Sequence, residues 1–324
     1  MDQFNVYKDM KARTNGEIYI GVVGPVRTGK STFIKRFMNL MVLPNIEDEN
    51  DRNRANDELP QSSSGKTIMT TEPKFVPNEA VSIKTEEGIE LNVRLIDCVG
   101  YMVEGATGHM EGEEERLVKT PWFDYEIPFT KAAAIGTKKV ITEHSTIGVV
   151  VTCDGSFGEI AAKQYEPAEE ETIKQLKALK KPFVVLLNTI HPYSESTKQL
   201  AAEKEEKYQT KVLPMNLEQM KKEDIYEIIK SVLMEFPISS IGFYVPRWTE
   251  MLKKDHPLKM ELLQMARDVI TEKTTMRDIY EEQEKEYEYI TGQKLESVAM
   301  DSGEVVITVK VGDVYYYEFL SETT

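Results

Sequence analysis

The chain has 324 residues, with 40 Lys and Arg against 55 Asp and Glu, and a formal net charge of −15 at pH 7. That acidity argues against broad nucleic-acid binding and against direct attraction to anionic lipid. No apolar run approaches the length needed to span a bilayer, and the chain is long enough for one large domain plus a smaller one.

The first residues, Met1-Asp2-Gln3-Phe4-Asn5, lack a basic start and an apolar core, so no secretory signal is expected. Residues 1–13 read as a short amphipathic helix or arm. Ile18-Tyr19-Ile20-Gly21-Val22-Val23 is an apolar, β-branched run of the right length for a buried strand. Directly after it comes Gly24-Pro25-Val26-Arg27-Thr28-Gly29-Lys30-Ser31, which matches G-x-x-x-x-G-K-[ST]. Here glycines let successive backbone N–H groups point inward at phosphate oxygens. Lys30 places a point charge between the β- and γ-phosphates, and the Ser31 hydroxyl suits Mg²⁺, which prefers oxygen ligands. Ser31-Thr32-Phe33-Ile34 opens a segment with helical apolar spacing, so the positive end of a helix dipole joins the site. Strand, glycine loop and helix come in the order a phosphate-binding loop requires.

Residues 45–66 show no periodicity and read as a polar loop. In Thr67-Ile68-Met69-Thr70-Thr71-Glu72-Pro73, either Thr70 or Thr71 is a candidate to close over the γ-phosphate and complete a Mg²⁺ shell. Two strands follow, from Lys74 to Ile83 and from Ile89 to Ile96, a pair expected to add one antiparallel edge strand. The second runs into Asp97-Cys98-Val99-Gly100. An aspartate at the end of a buried strand can hold Mg²⁺, and the glycine three residues on lets an N–H approach the γ-phosphate. The next position, a water-orienting glutamine in many GTPases, is Tyr101, so slow intrinsic turnover is expected.

Residues 101–144 are elaborated, with a helix expected from Phe129 to Glu143. Strands at 146–152, 182–188 and 211–215 alternate with helices at 169–179, 198–208 and 217–235, which predicts an α/β fold of mostly parallel strands with helices on both faces. Cys98 and Cys153 lie among strand residues and read as buried thiols, pointing to a reducing, cytoplasmic compartment. His109, His144, His191 and His256 show no metal-ligand spacing.

The base-reading stretch is altered. Where GTPases of this architecture carry N-K-x-D, the sequence is Asn188-Thr189-Ile190-His191. Asn188 remains, but no carboxylate in this stretch is left to pair with guanine, which points to ATP or to weak base selectivity. Arg27, two before Gly29, stands where related enzymes place an asparagine that binds an activating monovalent cation. Its guanidinium can supply that charge in cis or reach a neighbouring subunit.

Residues 237–324 read as a small α+β module following the nucleotide domain of residues 1–236. A strand is expected at 238–245, helix within 258–289, and a hairpin of 304–310 with 313–320 turning at Val311-Gly312-Asp313. An aromatic strand at 314–319 would suit self-association as an exposed edge, or equally form a sheet interior covered by elements of a further C-terminal part.

Taken together, the phosphate loop, Thr70-Thr71-Glu72-Pro73, Asp97-Cys98-Val99-Gly100 and the degenerate Asn188-Thr189-Ile190-His191 closely resemble the stage IV sporulation protein A family of endospore-forming bacteria. The resemblance implies a GTPase-derived P-loop fold that came to use ATP with Mg²⁺. Hydrolysis in that family drives irreversible self-assembly into the basement layer of the spore coat, in the mother-cell cytoplasm on the forespore's outer membrane. The family's roles carry over as the Walker A pair Lys30 and Ser31, a sensor threonine at Thr70 or Thr71, and the Walker B Asp97. The resemblance also implies a region beyond Thr324 that engages a small amphipathic membrane-bound peptide and other coat proteins. Two other readings are a nucleotide-dependent switch that binds partners without polymerising, and a phosphotransferase with a small-molecule acceptor.

Overall fold

The structure is a computed structural model. It describes residues 6–60, 72–84, 90–106, 108–111, 114–158, 160–280 and 285–323. The chain divides into two compact units, meeting between Val232 and Leu233.

In the larger unit, α1 (Val6–Arg13) precedes β1 (Glu17–Val23), and α2 (Lys30–Phe37) follows the phosphate loop. After α3 (Glu49–Asp57) come β2 (Lys74–Lys84) and β3 (Glu90–Asp97). The elaborated region folds as the short pair β4 (Met110–Glu111) and β5 (Glu114–Glu115), the pair β6 (Leu117–Thr120) and β7 (Phe123–Pro128), and α4 (Phe129–Lys139). Then β8 (Ile147–Cys153), α5 (Ala162–Ala178), β9 (Phe183–Asn188), α6 (Glu195–Tyr208), β10 (Val212–Met215) and α7 (Lys222–Met234) alternate.

The main sheet has the order β10-β9-β8-β1-β3-β2. All neighbouring pairs are parallel except β2 with β3, so β2 is the antiparallel edge. Strands β8 and β9 are almost wholly apolar because both their faces are covered; every residue of the two is buried. On one face Val150, Val185 and Leu187 pack against Ile173 and Leu176 of α5 and Ala201 of α6. Parallel pairing brings the C-terminal ends of β1, β3, β8, β9 and β10 to one edge, with Val22 beside Asp97 and Cys153 beside Asn188. Strand order reverses about β1, and ligands bind at such a switch point.

Two expectations for this unit need correction. The polar stretch after α2 is not a featureless loop, because α3 forms within it. Asp48 caps it, accepting from Asp51 N at 2.9 Å, and only Ala55 is buried, so hydrophobic periodicity could not reveal it. The helix expected at 169–179 also starts earlier, at Ala162, with Pro167 inside it.

The smaller unit holds β11 (Ser240–Tyr244), α8 (Pro257–Glu272), β12 (Ile290–Ala299), β13 (Glu304–Val311) and α9 (Asp313–Thr323). Its sheet has the order β11-β13-β12. The hairpin joins β12 to β13, antiparallel, around residues 300–303 and not at 311–313. The expected aromatic strand at 313–320 is helix α9. Tyr316 and Phe319, one turn apart, both meet Trp248, with centroids 5.7 and 5.6 Å away. The edge-strand route to self-association therefore falls away. Of the one long or two short helices expected over 258–289, the described residues hold α8, which ends at Glu272, and one short turn at Asp278–Tyr280.

Candidate nucleotide site

The site begins where β1 stops. Gly24, at φ 130°, sits so close to β8 that an added Cβ would lie 2.4 Å from Val151 O. The loop then curls back on itself: Thr28 Oγ1 donates to Pro25 O at 3.0 Å. Gly29, at φ 104°, hands the chain to α2, whose first residues are Lys30, Ser31 and Thr32.

Lys30 is buried, and its Nζ donates to Pro25 O at 2.5 Å and Gly24 O at 3.3 Å. Those carbonyls hold the ammonium inside the curl, where a phosphate oxygen would be a stronger, charged acceptor. Burial lowers the pKa of Lys30, and nearby Cys98 and Asp97 oppose that shift. Burial likewise raises the pKa of the Asp97 carboxyl, which Lys30 and Ser31 counter.

Ser31 Oγ donates to Asp97 Oδ2 at 3.0 Å, joining the start of α2 to the end of β3. Asp97 Oδ1 is buried and has no hydrogen-bond partner among the described residues. A hydroxyl and an orphaned carboxylate oxygen, side by side beneath a phosphate loop, fit Mg²⁺. Held by Ser31 and Asp97, such an ion would neutralise charge on a bound phosphate. Among the described residues no group of three or more His, Cys, Asp and Glu forms another metal site.

Gly100, at φ 93°, faces Lys30 directly. A Cβ there would lie 2.1 Å from Gly24 O and 2.6 Å from Lys30 Nζ. The next residue, Tyr101, pairs with the loop through its backbone: its carbonyl accepts from Val26 N at 3.0 Å. Its ring packs into a cluster with Val26, Val103, Cys153 and Tyr165, and burial pushes its phenol up to about 12. It is no proton acceptor for an attacking water near neutrality.

Arg27 lies exposed at the loop edge with φ 62°, and its charge reaches Tyr165, opposing the burial that raises that phenol's pKa. Asn188 acts on the loop itself. Its Nδ2 donates to Thr28 O at 3.0 Å, while its Oδ1 accepts from Leu217 N at 3.2 Å. Thr70 and Thr71 lie outside the described residues.

Sequence reading missed Asp154. It lies in the loop after β8 and meets Thr189 in the loop after β9, with Thr189 Oγ1 donating to Asp154 Oδ2 at 2.6 Å. No local motif announces a contact between residues 35 positions apart.

The family model for "Stage IV sporulation protein A, ATPase domain" matches residues 1–237, and that for the middle domain of the same protein matches residues 238–324. The chain belongs to the stage IV sporulation protein A family. The family member of Bacillus anthracis is 46% identical over 324 residues, covering 99% of this chain and 66% of that one. That of Clostridioides difficile (strain 630) is 48% identical over 320 residues, covering 98% and 65%. That of Bacillus subtilis (strain 168) is 45% identical over 324 residues, covering 99% and 66%. The chain thus spans about two thirds of the length of these relatives and carries the family's ATPase and middle domains. Among the described residues, no helix is long and apolar enough to cross a membrane.

Proposed function

We propose that this chain hydrolyses ATP with Mg²⁺ and that hydrolysis drives its self-assembly into the basement layer of the bacterial spore coat, on the forespore's outer membrane in the mother-cell cytoplasm. The observation that carries the catalytic part is the convergence of Lys30, Ser31, Asp97 and Gly100 on one point at the C-terminal edge of the sheet. Lys30 and the loop N–H groups hold the phosphates, and Gly100 brings a backbone N–H to the γ-phosphate. Ser31, Asp97 and either Thr70 or Thr71 hold the cation. Arg27 places positive charge at the transferring phosphoryl group, which needs electrostatic stabilisation more than covalent help. The partners on this reading are further copies of the chain, a small amphipathic membrane-bound sporulation peptide and other coat proteins.

The test is phosphate release from ATP and from GTP with Mg²⁺, followed by sedimentation, for the wild type, Lys30→Ala and Asp97→Asn. Release from ATP, little from GTP, loss in both variants and pelleting only after hydrolysis support the proposal. Turnover without pelleting favours a regulatory switch, and product that forms only with a small-molecule acceptor favours a phosphotransferase. Unchanged turnover in Lys30→Ala overturns the site.

A further inference from the structure

The phosphate end of the site is fixed on the β3 side of the loop, where Gly100 and Asp97 face Lys30 and Ser31. On the proposed reading the rest of a nucleotide would extend the other way, toward the loops that follow β8, β9 and β10 at the edge where strand order reverses. Asn188, bonded to the phosphate loop at Thr28, begins the middle one of these.

In that loop the three N–H groups after Asn188 are all taken by the protein. Thr189 N donates to Met215 O at 3.0 Å. Ile190 N donates to Ser156 Oγ and His191 N to Thr189 Oγ1, each at 3.1 Å. Asp154 organises the two hydroxyl acceptors. Its Oδ2 accepts from Thr189 Oγ1 at 2.6 Å, and its Oδ1 accepts from Ser156 N at 2.9 Å. The Asp154 carboxylate is therefore committed to Thr189 and Ser156, not held open as a paired acceptor for a base.

A guanine O6 needs an N–H donor, and guanine N1–H with N2–H₂ needs an open carboxylate. Adenine's edge asks for less, one acceptor for its N6 amine and one donor for N1, against guanine's three groups. We infer that the Asp154–Ser156–Thr189 network determines base selectivity, excluding guanine by saturating the donors of the loop beside the base. The three are positioning residues, because they act through Ile190 and His191 N–H. The inference rests on the ATP reading above and adds how that preference is built. A site whose polar groups are already paired gains nothing from the base that would have used them.

The experiment is equilibrium binding of ATP and of GTP to the wild type and to Thr189→Ser, Thr189→Val and Ser156→Ala. Thr189→Ser keeps the hydroxyl and should keep the ratio of the two dissociation constants. Thr189→Val frees His191 N–H and Ser156→Ala frees Ile190 N–H. Each should narrow the ratio by about fivefold, the worth of one new hydrogen bond, chiefly through tighter GTP binding. Loosening of the fold alone would weaken both nucleotides together. A wild-type ratio in both donor-freeing variants, or equal weakening of ATP and GTP, overturns the inference. Ser156→Ala decides the matter if Thr189→Val does not fold. A wild type without ATP preference overturns the ATP reading itself.

Discussion

Asn188 holds Thr28: its amide donates to the Thr28 carbonyl at 3.0 Å and accepts from Leu217 N at 3.2 Å, so one side chain ties the phosphate loop to the segment after β10. Its role in the structure is to brace the loop. Asn188→Ala leaves both backbone groups without that partner, a loss of about 1–3 kcal/mol where they are buried. Weakening of ATP binding by roughly tenfold, read by equilibrium titration, is expected. Asn188→Asp should do worse, because it sets an acceptor against the Thr28 carbonyl while still serving Leu217. ATP binding by Asn188→Asp that matches the wild type would remove the brace.

Gly100→Ala places a methyl 2.1 Å from Gly24 O, a backbone atom that cannot rotate away. On the proposed reading, in which the Gly100 N–H meets the γ-phosphate, phosphate release should fall by roughly 10²-fold or more. Turnover within twofold of the wild type would mean that Gly100 stands off the γ-phosphate.

The cis role proposed for Arg27 predicts turnover that does not depend on potassium. An arginine that stabilises a transferring phosphoryl group is worth roughly 10³-fold or more, so Arg27→Ala should lose most activity. Arg27→Lys, which keeps the charge but not the fork, should fall between. A requirement for potassium in the wild type would sink the cis role.

Glu169 is wholly buried, accepting from Lys204 Nζ at 2.6 Å and from Thr152 Oγ1 at 2.5 Å. Lys204→Met strands that carboxylate. Breaking a buried pair costs about 3–5 kcal/mol, so a large fall in the urea midpoint is expected, with part regained in the double variant Glu169→Gln, Lys204→Met. A shift under about 1 kcal/mol would show that water reaches the pair.

Asp278 accepts from Thr275 N at 2.7 Å, Thr274 N at 2.9 Å and Thr274 Oγ1 at 3.1 Å. Burial pulls its pKa up, but these bonds outweigh it and hold the carboxyl below the ordinary 3.8. A depressed folded-state pKa gives stability that is present above pH 3.8 and lost as pH falls through the lower folded value. Asp278→Asn should therefore melt below the wild type at pH 7, with the gap closing on acidification below pH 3.8. A gap that stays constant down to pH 2.5 would contradict this.

The site was legible where its chemistry is written in adjacent residues. Gly24 to Ser31 must be contiguous because one loop wraps one phosphate, and Asp97 and Gly100 lie close together after a strand whose apolar residues alternate with polar ones. The Asp154–Thr189 bond was not legible, because pairing of β8 with β9 creates it and neither loop signals the other. Helix α9 was misread for a different reason. Val314-Tyr315-Tyr316-Tyr317-Glu318-Phe319 has the aromatic composition of a strand, but Trp248 draws Tyr316 and Phe319 onto one helical face. Composition favoured the strand, and a tertiary contact far along the chain goes with the helix.

Tyr101 carries one further consequence. Its carbonyl is bonded to Val26 N and its ring is packed beneath the phosphate loop. In a resettable switch, the segment that senses the γ-phosphate swings free once that group departs. Here the residue after Gly100 is stitched to the phosphate loop through Val26 N–H. A segment tethered in this way has less room to swing, which fits the one-time assembly proposed above better than a relay meant to be rearmed.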